Sequence, residues 1–64
     1  MKFVKGNQVR DIETGKIYTV AFEDLGLVAL KNEQGKLMSI DTWYPGGGIN
    51  NNVVNNYELV KGVA

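Results

Sequence analysis

The stretch Lys16-Ile17-Tyr18-Thr19-Val20-Ala21-Phe22 is the most strand-like segment of this 64-residue chain. β-Branched and aromatic residues make up most of it, and these residue types favour strands over helices. Further short strands are predicted on both sides of it, at Gln8 to Ile12, Leu27 to Lys31, Lys36 to Trp43 and Tyr57 to Val60. Turn signals separate them at intervals of about eight to twelve residues, a spacing that predicts a small all-β barrel.

Composition restricts what such a chain can do. It is one domain at most, residues 1–64, and it has no Cys and no His, so we expect no disulfide and no conventional zinc site. Seven basic and seven acidic residues give a net charge of zero, without the basic stripe of a typical nucleic-acid binder. No apolar run approaches the length of a membrane span, so we expect a cytoplasmic protein that binds no membrane and carries no cofactor.

Alternation along the strands predicts two faces. One face would form the core, from Val9, Tyr18, Val20, Phe22, Val28, Leu30, Met38, Ile40 and Leu59. The opposite face is weakly polar and includes Ile17, Thr19, Leu27 and Leu37. Either bulges turn some of these residues into the core, or they form a second interface with a partner or another copy of the chain.

One segment has loop composition. Residues 45–56 contain Pro45, three glycines and five asparagines, which predicts a flexible Gly/Asn-rich loop. The Gly46–Gly48 run lacks the Lys-Ser/Thr and the helix that a phosphate-binding loop requires. The asparagines either form turns or offer donors and acceptors to a ligand.

Aromatic residues around this loop are the best candidates for a binding site. Trp43 and Tyr44 enter the loop and Tyr57 follows it, while Asn50 and Asn52 lie between them. Trp and Tyr are amphipathic, rigid and enriched at binding hot spots. These five residues are therefore our predicted partner-binding set, with the alternative that Trp43 caps the open end of the barrel.

The order of these features resembles an SH3-like barrel. Gly6-Asn7-Gln8-Val9-Arg10-Asp11 is similar to the start of such domains, and Gly15-Lys16-Ile17-Tyr18-Thr19-Val20 to their second strand. Val53-Val54-Asn55-Asn56-Tyr57-Glu58-Leu59-Val60 resembles the one-turn 3₁₀ segment and short last strand that close the fold. The resemblance implies a five-stranded barrel, a fold also found in stand-alone accessory proteins of bacteria and phages. It does not extend to the first-strand motif of domains that bind proline-rich peptides.

Catalysis is not expected. The commonest general base and thiol nucleophile are missing, and most of the carboxylates fall in turns, where solvated charge is the ordinary role. We therefore expect a small non-enzymatic module or regulator that docks on a larger protein. Two alternatives stay open. One is a nucleic-acid-binding accessory domain using Lys2, Lys5, Arg10, Lys16, Lys31, Lys36 and Lys61, and the other is a self-assembling homo-oligomer.

Overall fold

Five strands and one helical turn form the fold in the computed structural model, which describes residues 2–63. The two end residues of the predicted 1–64 domain lie outside the described residues. The elements in chain order are β1 (Gln8–Asp11), β2 (Ile17–Asp24), β3 (Leu27–Lys31), β4 (Leu37–Asp41), α1 (Asn51–Val54) and β5 (Tyr57–Lys61). Every predicted strand is present, with ends that differ from the prediction by two residues at most.

The strands form one antiparallel sheet in the order β4-β3-β2-β1-β5. Consecutive strands from β1 to β4 are neighbours, whereas β5 returns to pair with β1. The all-β prediction is confirmed, and the compact five-stranded sheet is compatible with a barrel. No helix among residues 2–63 has the length and apolar character needed to cross a membrane.

The interior is small and consists of aliphatic side chains beside an aromatic group. Val9, Val20, Val28 and Leu30 are the largest fully buried side chains. The rings of Phe3 and Tyr18 both lie edge-on to Tyr57, with centroid distances of 5.9 and 6.4 Å. Edge-on contact is favourable because the positive edge of one ring meets the negative face of another.

The prediction that Phe22 belongs to the core is wrong, and a β-bulge is the reason. Val20 pairs with Leu30, but Phe22 pairs with Ala29, so Ala21 is an extra residue in β2. One extra residue reverses the alternation, and the Phe22 side chain is therefore exposed on the outer face.

Met38 and Leu59 were also predicted in the core, and they too are exposed. Both residues lie on edge strands, β4 and β5, which have a neighbouring strand on one side. A side chain on an edge strand has neighbouring side chains on one side only. It can therefore face inward, as the alternation predicts, and still be exposed.

The helical turn α1 stands where the sequence places a 3₁₀ segment, although its hydrogen bonds are mixed. The amides of Val54 and Asn55 donate to the carbonyls four residues earlier, as in an α-helix. The amides of Val53 and Asn56 donate to carbonyls three residues earlier, as in a 3₁₀-helix. The turn is thus α-type at its centre and tightens at both ends.

Candidate functional site

A two-residue hairpin loop between β2 and β3 forms one wall of the candidate site. Both loop residues have positive φ, Leu25 at +48° and Gly26 at +87°. This is the pattern of a type I′ turn, which prefers Asn-Gly because residues other than Gly and Asn are strained there. Leu25 nevertheless occupies the first position, and its side chain is 75% exposed.

Trp43 packs directly on this hairpin. A Cβ atom at Gly26 would lie 2.6 Å from Cδ2 and 2.8 Å from Cβ of Trp43, so no larger residue fits without displacement. Thr42 fixes the approach, because its amide and its hydroxyl both donate to the Gly26 carbonyl at 2.7 Å. The indole is thereby held against the backbone while 44% of the Trp43 surface stays exposed.

A small hairpin supports the opposite wall. Trp43 forms an antiparallel bridge with Ile49, and between them the Tyr44 amide donates to Gly48 and the Gly47 amide donates to Tyr44, both at 2.9 Å. Pro45 suits the first central position of this turn, since its φ is already fixed. The turn leaves Tyr44 49% exposed.

These two hairpins enclose a cleft of about 840 Å³. It is lined by Leu25, Gly26, Leu27, Asp41, Trp43, Tyr44, Pro45, Gly46, Gly47 and Asn50. We call this the Trp43 cleft. A second, mainly apolar depression of about 270 Å³ is also lined by Trp43, together with Phe3, Ile49 and Val54. Trp43 therefore lines both the open Trp43 cleft and the apolar depression next to Phe3.

The Trp43 cleft is rich in groups that attract positive charge. Asp41 is the one charged residue in its lining, and Leu27 separates Asp41 from Asp24 in the strand register. In addition, Oδ1 of Asn50 is buried without a hydrogen-bond partner in the described part of the chain. Two aromatic rings and a carboxylate together favour a cationic ligand.

The predicted partner-binding residues divide between two clefts. Trp43, Tyr44 and Asn50 meet in the Trp43 cleft. Asn52 and Tyr57 line a neighbouring cleft of about 500 Å³, and Asn50 belongs to both. The Tyr57 side chain itself is buried in the core, where burial raises the pKa of its hydroxyl and the nearby Asp11 carboxylate raises it further.

The second predicted interface lies on the outer face of the sheet. Leu27 and Leu37 are exposed there, whereas Ile17 and Thr19 are half-buried. The bulge adds Phe22 to this face, opposite the buried Ala29. The apolar surface is interrupted by Lys31, which lies between Thr19 and Leu37 in the register.

Sequence reasoning missed Leu25 as a site residue. The signal was present in the chain as the dipeptide Leu25-Gly26 between two strong strands, a spacing that identifies a two-residue hairpin loop. Asparagine is the more stable residue at the first position of such a loop. The leucine found there is therefore unusual, and this can be recognised from the sequence.

The basic residues are not gathered at this site. The Lys2 ammonium donates to the carbonyls of Val54 and Tyr57, and Arg10 pairs with Glu58. Residues 2–63 also contain no group of three or more acidic side chains arranged to hold a metal ion. Comparisons with protein-family models, with curated proteins and with solved structures found no match for this chain.

Proposed function

We propose that this chain is a small non-catalytic protein-binding module with an SH3-like barrel fold, which docks on a larger partner protein through the Trp43 cleft. The strand order β4-β3-β2-β1-β5 supports the fold assignment, as does the helical turn before the last strand. The cleft supports the function because it combines exposed apolar surface with rigid support, the usual properties of a binding hot spot.

The observation that carries the proposal is the exposed, strained Leu25. A leucine with positive φ costs folding free energy, and its exposed side chain recovers little of it within the monomer. The side chain does, however, line the same cleft as Trp43 and Tyr44. Burial of the Leu25 side chain against a partner would explain why a residue that costs folding free energy occupies this position.

The electrostatics of the cleft define the partner's chemistry. Asp41 attracts a positively charged group, and the lining contains no Lys or Arg that would repel one. We therefore expect the partner to insert a Lys or Arg side chain next to an apolar residue. A nucleic acid, whose phosphates are anionic, fits this lining poorly.

Affinity capture followed by a variant series tests the proposal. The immobilised chain is exposed to extract of its native host, bound proteins are identified by mass spectrometry, and the purified partner is titrated calorimetrically. We expect Tyr44→Ala to lower the affinity by about tenfold or more, with a nearly unchanged melting temperature. Leu25→Asn should raise the stability by about 1 kcal/mol because asparagine tolerates the turn, and should also weaken binding.

Ile12→Ala is the matched control, since Ile12 is an exposed apolar residue outside the cleft lining. Asp41→Asn should reduce both the affinity and its dependence on salt concentration if the partner supplies a cation. Unchanged affinity in Tyr44→Ala and Leu25→Asn would exclude the cleft as the docking site. Unfolding of Tyr44→Ala would assign Tyr44 to the fold instead.

A further inference from the structure

The outer edge of β4 is an open hydrogen-bonding edge. Two bonds flank the β3–β4 ladder, from the Asn32 amide to the Lys36 carbonyl and from the Thr42 amide to the Gly26 carbonyl. Because bonded pairs alternate along an antiparallel ladder, Met38 and Ile40 direct their backbone groups toward β3. The amides and carbonyls of Leu37, Ser39 and Asp41 consequently point away from the sheet.

These outward backbone groups have no hydrogen-bond partner within residues 2–63. Within β4 the one charged residue is Asp41 at its end, and the strand includes no proline and no bulge, which are features that protect exposed edges. Its side chains are accessible, and Leu37 is 64% exposed.

The other edge of the sheet, β5, is protected by comparison. Its register with β1 shifts between Gln8 and Val9, which marks an irregularity. The Lys2 ammonium donates a hydrogen bond to the Tyr57 carbonyl at 2.6 Å. The two edges of the sheet therefore differ: the edge of β5 is partly blocked, whereas the edge of β4 is open to another strand.

We propose that β4 pairs with β4 of a second copy of this chain, antiparallel about a two-fold axis at Ser39. In this register Ser39 lies opposite Ser39 of the second copy, and Leu37 lies opposite Asp41. All three outward-pointing residues of each strand then exchange hydrogen bonds. Registers shifted by two residues in either direction leave Leu37 or Asp41 outside the pairing.

The side chains agree with this register. On the inner face Met38 meets Ile40 of the second copy, so two incompletely covered apolar residues bury each other. On the outer face the small Ser39 side chains meet at the axis without steric conflict. The net charge of zero removes long-range repulsion between copies.

The dimer extends the sheet from five strands to ten, which is a form of β-augmentation. Because the contact involves one five-residue strand from each copy, the interface is small, and we expect a weak dimer that dissociates on dilution. This interaction goes beyond the proposed docking function and does not depend on it.

Light scattering and amide hydrogen exchange across a dilution series test the proposal. We expect the mass to rise from 7.1 kDa toward twice that value between about 5 μM and about 1 mM protein. In the same series, the amides of Leu37, Ser39 and Asp41 should become protected at high concentration. The amides of Met38 and Ile40, bonded to β3, should be protected throughout.

Variants at Ser39 separate edge pairing from other contacts. Ser39→Lys should weaken the dimer by about tenfold, since two like charges would face each other at the axis. Ser39→Pro removes an outward amide that the β3–β4 ladder does not use, and should abolish the dimer. Gln34→Lys adds the same charge in the exposed β3–β4 loop and should leave the dimer unchanged.

Two results would overturn the proposal. One is a strict monomer at about 1 mM, and the other is a dimer whose Ser39 amide exchanges at a rate independent of concentration. The second result would place the contact elsewhere, for instance on the outer face around Phe22. Since wild-type exchange data decide the matter alone, misfolding of a Ser39 variant does not leave the question open.

Discussion

Gly26 is the residue on which the Trp43 cleft depends. Glycine is required here for two separate reasons: the φ of +87° is unfavourable for other residues, and the Trp43 indole lies where a Cβ atom would be. Gly35 has the same φ of +87°, but nothing lies within 4 Å of a Cβ built there. The pair therefore separates the cost of backbone conformation from the cost of steric contact with Trp43.

We expect Gly35→Ala to destabilise the fold by about 1 kcal/mol, the usual cost of a left-handed conformation for a residue with a Cβ. Gly26→Ala should cost about 1–3 kcal/mol more, because the methyl group must also displace the indole. Urea unfolding of both variants measures the difference, and Trp43 fluorescence reports whether the ring has moved. Equal losses of unfolding free energy in the two variants would mean that steric contact with Trp43 adds nothing to the cost of the Gly26 substitution.

At the scale of the elements, β3 shows what the sequence can predict. Its bounds, Leu27–Lys31, are those expected from the apolar run, because a central strand is defined by hydrophobic residues between turn signals. The inward positions Val28 and Leu30 were likewise predictable from alternation. β3 contains no extra residue that would break its alternation, so the local pattern suffices for this strand.

β2 shows where such prediction stops. The sequence of β2 alternates regularly through Phe22, but the bulge at Ala21 breaks this alternation in the structure. Nothing in the sequence Ala21-Phe22 distinguishes a bulged residue from a paired one. Bulges arise where a strand bends to join two neighbours, which is a demand of the whole sheet. The candidate site was predicted in the same partial way: Trp43 and Tyr44 follow from residue type, whereas Leu25 follows from hairpin geometry.

Shortening the segment from Pro45 to Gly48 tests whether this turn can change without affecting the core. Deletion of Gly46 and Gly47 leaves Pro45 followed by Gly48, a pair that suits a two-residue turn. We expect the free energy of unfolding to fall by less than about 1 kcal/mol, since loop-closure entropy varies slowly with length. Partner affinity should fall more, because Trp43 and Tyr44 would change position.

Thermal unfolding measures the change in stability, the NMR shifts of Val9 and Leu30 report on the core, and calorimetric titration with the partner measures the affinity. A small stability loss with unchanged core shifts is the expected result. A loss above about 3 kcal/mol would show that this turn supports the fold, contrary to its prediction as a flexible tip.

At the scale of the whole molecule, polar contacts of Asn7 hold Lys2 and Val63 next to the sheet. Buried Asn7 donates through Nδ2 to the Lys2 carbonyl and accepts through Oδ1 from the Val63 amide, at 2.9 and 2.8 Å. Phe3 follows Lys2 into the core and contacts the Tyr57 ring. Asn7 thus links Lys2 to Val63, and Phe3 joins the aromatic group of Tyr18 and Tyr57.

Tyr57 makes this closure sensitive to alkaline pH. Its pKa is raised above the ordinary value of 10.0, first by burial and then by the Asp11 carboxylate. Above about pH 10, unfolded chains release this proton while the folded protein still holds it, so the folded state binds more protons. Stability from this group is complete below about pH 10 and is lost as the pH rises through the folded pKa.

Tyr57→Phe should therefore match the wild type near neutral pH and lose less stability on the alkaline side. Urea unfolding from about pH 8 to about pH 11 measures the free energy of both proteins along this range. Tyr44→Phe, which removes a phenol from an exposed position, is the control. Since Tyr57→Phe differs from the wild type by one hydroxyl group, the difference between their two curves isolates Tyr57. Parallel curves for the wild type and Tyr57→Phe would show that the ionisation of Tyr57 is not coupled to folding, and that the packing of Phe3, Tyr18 and Tyr57 tolerates a charged ring.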